Sequence, residues 1–97
     1  ESPPPAPLVP AQYRRLFLDT MDGDLNNLDQ AIARRDVPAA LQTMHRMRGA
    51  LVMVKMTTLS SDFHAVEVKL RRDGSDDAVF EEIISLMQAL RNLLAQV

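Results

Sequence analysis

Cysteine is absent from the chain, which excludes a disulfide framework, a thiolate nucleophile and cysteine-ligated zinc. Tryptophan is absent too, and the aromatic residues are one tyrosine and three phenylalanines. The 46% apolar content therefore comes mainly from Leu, Ala, Val and Met, which suit helices better than pleated sheets. No apolar run approaches the roughly 18 to 20 residues that span a bilayer, and no secretory signal is present. A net charge of -2 and a pI near 5.6 supply no overall field for polyanions, so neither nucleic acid nor direct membrane contact is expected. At 97 residues the chain holds one domain, because two separate cores would each be too small to offset the entropy of ordering the backbone.

What is present divides the chain in two. Five of the six prolines fall between Glu1 and Pro10, where locked φ angles and missing N–H groups favour extended geometry over packing. This reads as a disordered Pro-rich linker over residues 1–10; a ligand for SH3-like domains is the sharper alternative, but linkers are commoner. The chain begins without Met and is expected to be a segment of something longer.

Residues 11–97 read as four helices. From Ala11 to about Arg34, Phe17, Met21, Leu25, Leu28 and Ile32 recur at helical spacing, interrupted only by Gly23. Asp36 is placed to cap a second helix running to about Lys55, with Pro38 tolerated in its first turn. Thr57 or Thr58 starts a third, striped by Leu59, Phe63, Val66 and Leu70 and ending in Lys69, Arg71 and Arg72 before Gly74. Ser75 is expected to cap a fourth, with apolar positions at Val79, Ile83, Leu86, Leu90 and Leu93. Short connections make this an all-α, antiparallel up-down-up-down four-helix bundle.

On a wheel of about 100° per residue, Ala40, Met44, Met47, Leu51 and Val54 cluster on the core side of the second helix. His45 falls outside that cluster. Leu41 and Val52 lie within about 40° of it, Gly49 follows one turn later, and Arg48 stands three residues on along the same face. Each neighbour has a use if His45 accepts a phosphoryl group. A solvated imidazole offers a neutral nucleophilic nitrogen near pH 7, and Arg48 is near enough to donate a charge-assisted hydrogen bond to the transferred oxygens. Gly49, costly at mid-helix by about 1 kcal/mol, clears room for a partner's active site. Leu41 and Val52 are either a docking patch or peripheral core residues.

Other residues have plainer accounts. His64 has Glu67 and Val68 at the offsets where His45 has Arg48 and Gly49, so it reads as structural or merely exposed. Met44, Met47 and Met87 fill core stripes rather than ligate haem. Asp19, Asp22, Asp24 and Asp29 spread around the first helix and read as a solvated face, with no metal site or acid/base pair.

His45-Arg46-Met47-Arg48-Gly49-Ala50 resembles the signature of histidine-containing phosphotransfer (HPt) domains, in which the phosphorylated histidine is followed by a basic residue at +3 and glycine at +4. Leu59, Phe63 and the Val66-Glu67 pair match the family's downstream pattern, and Phe17-Leu18, Leu25, Leu28, Ala31-Ile32 and Asp36 match the preceding helix and its exit. The match covers about Leu16 to Leu70; the last helix fits by pattern only. One departure is Lys55, which stands where the family usually has glycine at the turn into the next helix and leaves the end of the second helix open. Kinase dimerisation domains are a poorer match, since an acidic residue and a nearby proline typically follow their histidine, and here Arg46 and no proline do.

The resemblance implies a phosphorelay intermediate. His45 would accept a phosphoryl group from a receiver-domain aspartate and pass it to another, with Arg48 stabilising the phosphate and Gly49, Leu41 and Val52 serving partner clearance and docking. The receivers would supply Mg²⁺, so the chain needs no cofactor or metal of its own and is a phosphocarrier, not an autonomous kinase. Its expected setting is cytoplasmic, tethered behind the Pro-rich segment, for instance at the C-terminus of a membrane-bound hybrid sensor kinase. A non-catalytic helical interaction or dimerisation module, in which His45 does nothing, is the alternative.

Overall fold

In a computed structural model the chain is described over residues 11–96; the Pro-rich segment, and with it the linker expectation, lies outside the described residues. Four helices follow in order: α1 (Ala11–Ala33), α2 (Val37–Met53), α3 (Thr57–Asp73) and α4 (Asp77–Leu94). No strand occurs among the described residues, and none of these helices is long and apolar enough to cross a membrane.

The predicted stripes are the faces that turn inward, except that Leu94 packs on the core where Leu93 was expected. Met21, Leu25 and Leu28 meet Met44, Met47 and Leu51, and Phe63, Leu70, Ile83, Met87 and Leu90 close the core from the other side, all fully buried. Val54, Leu59 and Leu86 are half-buried against them. α2 lies between α1 and α3, while α4 packs on α3 and more lightly on α1. The bundle is thus all-α and antiparallel, as its short connections require.

Two of the three turns are built alike. After α1 the Arg35 N–H donates to the Ile32 carbonyl (3.0 Å) and the Asp36 N–H to the Ala31 carbonyl (2.8 Å). After α2 the Lys55 N–H donates to Val52 (2.9 Å) and the Met56 N–H to Leu51 (2.9 Å). Both are Schellman closures, which put their turn residue in the left-handed region, at φ 53° for Arg35 and 62° for Lys55. The turn at Lys55 therefore has the backbone that a glycine would favour, carried by a lysine at a cost of about 1 kcal/mol. It ends α2 at Met53, two residues earlier than expected.

Asp36 serves both neighbours, closing α1 with its N–H and capping α2 with its carboxylate, which accepts from the Ala39 N–H at 3.1 Å. The expected cap of α4 is corrected: Asp76 fills that role, accepting from the Ala78 and Val79 N–H groups at 2.8 and 3.4 Å. Ser75 instead accepts a hydrogen bond from Arg35 (3.1 Å), whose guanidinium also pairs with Asp77 and lies over the Phe80 ring. α3 starts at Thr57 behind Met56, which offers no side-chain cap.

Candidate functional site

His45 stands near the middle of α2 with its side chain 69% exposed, as the wheel requires. Behind it is a carboxylate that comes from α3. Glu67 occupies the core stripe between Phe63 and Leu70 and is fully buried, with one oxygen 4.0 Å from His45 Nδ1. A buried carboxylate is costly unless paired, and two arginines surround this one. Arg48 Nε lies 2.9 Å from Glu67 Oε2, and Arg71, one turn on in α3, brings a terminal nitrogen to 3.5 Å from Oε1. These are ion pairs by distance without the alignment of hydrogen bonds.

Arg48 is the hub of the group. Its Nη2 is 2.8 Å from His45 Nδ1, its side chain is only 25% exposed, and its backbone carbonyl accepts from the Ser60 hydroxyl at 3.4 Å. Arg48 is thus the main partner of a buried charge, a structural role besides the phosphate contact expected from the sequence. A second buried carboxylate lies on the other seam of α2: Asp24 of α1 accepts from Arg46 Nε at 3.0 Å, with its other oxygen unpartnered. Asp24 is therefore not part of a solvated face, although Asp19 and Asp29, which pair with Arg15 and Arg91, are exposed.

The remaining sequence candidates separate. Gly49 is exposed, and a Cβ built there would meet no atom within 4 Å, so nothing in the chain itself requires the glycine. Val52 is 52% exposed, whereas Leu41 is half-buried against the core, the placement of a peripheral core residue. Exposed Met53, Leu16 and Tyr13 edge a separate, largely apolar groove floored by Phe17, Ala50 and Val54. His64 is exposed, and no three His, Asp or Glu side chains converge among the described residues.

A model of the Hpt domain family matches residues 12–97. The chain belongs to the Hpt family. Searches of curated proteins and of solved structures returned no match. The family match extends the resemblance seen from Leu16 to Leu70 through α4. As an Hpt domain the chain is a phosphocarrier module of histidine phosphotransfer in two-component signalling, a class that works with receiver domains. In the sequence Glu67 is marked only by its place in the Val66-Glu67 pair. The stripe spacing offered a further signal: a carboxylate between Phe63 and Leu70 must point inward and find cations there, and Asp24 between Met21 and Leu28 obeys the same logic.

Proposed function

We propose that His45 is the phosphoacceptor of this Hpt domain, taking a phosphoryl group from an aspartyl phosphate on one receiver domain and delivering it to an aspartate on another. The observation that carries this reading is the setting of the imidazole, exposed on α2 with an arginine in hydrogen-bond contact and a buried carboxylate behind it. His64 has no comparable setting.

Because Nδ1 faces Arg48 and Glu67, the nitrogen that meets the donor is Nε2. Its lone pair forms the N–P bond as the P–O bond to the receiver's aspartate breaks, and that electron pair returns to the receiver's carboxylate. The ring becomes positively charged while Nδ1 keeps its proton, and the Glu67 carboxylate opposite stabilises it. Arg48 supplies charge-assisted hydrogen bonds to the phosphoryl oxygens. Delivery to the second receiver runs the same step in reverse. Mg²⁺ is the receiver's in this scheme, and the chain contributes neither metal ligand nor nucleotide.

The arginines around His45 suit an acidic receiver pocket. Gly49 keeps the approach clear, and docking falls to Val52 with Met53, Leu16 and Tyr13 more than to Leu41. Incubating the chain with phosphorylated receiver domains should yield acid-labile, base-stable phosphate on the wild type and on His64→Gln. His45→Gln should accept none while melting like the wild type, since an exposed helix position contributes little packing. Labelled His45→Gln would sink the assignment.

A further inference from the structure

Arg48 makes one contact that the transfer step does not use, the 2.8 Å approach of its Nη2 to His45 Nδ1. A guanidinium has donors and no acceptor, so in this contact Nδ1 presents its lone pair and a neutral ring carries its proton on Nε2. The exposed nitrogen then has no lone pair to give. The other neighbour of Nδ1 is Glu67 Oε1, 4.0 Å away, which when ionised is an acceptor only. Pairing with it puts the proton on Nδ1 and frees Nε2. The two neighbours demand opposite tautomers of the same ring.

We propose that Arg48 and Glu67 compete for Nδ1, and that His45 becomes nucleophilic at its exposed nitrogen only when Arg48 has left the ring. This rests on the reading of His45 as phosphoacceptor. The arriving group supplies the pull, because phosphoryl oxygens are stronger partners for a guanidinium than a neutral imidazole nitrogen is. As Nη2 turns toward them, the ring loses its Nε2 proton to water and takes one from water at Nδ1, so its net charge is unchanged. Nε remains beside Glu67 Oε2 and Arg71 beside Oε1, so the buried carboxylate stays paired throughout. Arg48 is thereby a positioning residue before the step as well as a phosphate ligand during it.

The test is a ¹⁵N–¹H correlation of histidine side chains in the full chain, at alkaline pH where both imidazoles are neutral, with His64→Gln used to assign the two rings. In the wild type His45 should hold more of the Nε2–H form than the exposed His64 does. Arg48→Met keeps an aliphatic stem but no donor, and should raise the ratio of Nδ1–H to Nε2–H at His45 by about tenfold. Adding Glu67→Leu to Arg48→Met replaces the buried pair with apolar groups and should return the ratio to that of His64. A wild-type His45 no richer in Nε2–H than His64 overturns the proposal without any variant, as does a folded Arg48→Met with the wild-type ratio. Labelling of His45→Gln tests the phosphoacceptor reading and is blind to the tautomer, so either can fail alone.

Discussion

Arg71 and Arg72 are adjacent in α3 and each lies beside a carboxylate, but the two carboxylates differ. Glu67 is fully buried and shared with Arg48, at the back of the site. Asp73 is exposed and is held by Arg72 through two 3.0 Å hydrogen bonds. The better geometry belongs to the exposed pair. The greater consequence belongs to the buried one, because water solvates an abandoned Asp73 but cannot reach an abandoned Glu67.

Breaking the buried pair should have the largest effect. Arg48→Ala is expected to lower unfolding stability by about 3 kcal/mol, the low end for orphaning a buried charge because Arg71 stays close. Combining it with Glu67→Leu should recover most of the loss, and urea melts of the three proteins decide the point. If Arg48→Ala alone melted like the wild type, burial would not be what distinguishes the two pairs.

Gly49 sharpens the comparison from the partner's side. Its surroundings within the chain are empty and its backbone is helical, so Gly49→Ala should stabilise by up to about 1 kcal/mol. Gly49→Leu should fold equally well and slow transfer from a phosphorylated receiver. A Leu variant that accepts phosphate at the normal rate would leave the glycine unexplained.

The smallest effect is expected at the exposed pair. Hydrogen bonding from Arg72 holds the Asp73 carboxyl below its usual range, against an opposing desolvation and with smaller help from the charges of Arg72 and Lys69. A carboxyl lowered on folding stabilises above its unfolded pKa, and the contribution disappears as pH falls through the folded value. Arg72→Ala should therefore differ slightly from wild type at neutral pH and not at all once Asp73 is protonated in both, as thermal melts across the acid range would register.

The helices were legible because a 3.6-residue period writes each inward face into the sequence, and Asp36 was legible because a single cap-capable residue precedes a proline-tolerant first turn. Ser75 was misread because Asp76 is equally able to cap, and the choice turns on Arg35, forty residues away, taking the serine hydroxyl. Leu41 and Val52 share a wheel sector, yet only tertiary packing decides that α2's neighbours cover the first and leave the second bare. His45, Arg48 and Gly49 were visible as one face of one helix. Glu67 and Asp24 were harder to read because their meaning depends on cations from a different helix.

The turn at Lys55 joins the helix that bears the imidazole to the helix that bears the carboxylate behind it. His45, Arg48, Glu67 and Arg71 thus all belong to a single helical hairpin, α2–α3. That hairpin is the smallest stretch of chain that holds the proposed site together. One interhelical seam therefore sets the bearings of all four side chains, and exposed positions of α1 and α4 are free to change without disturbing it.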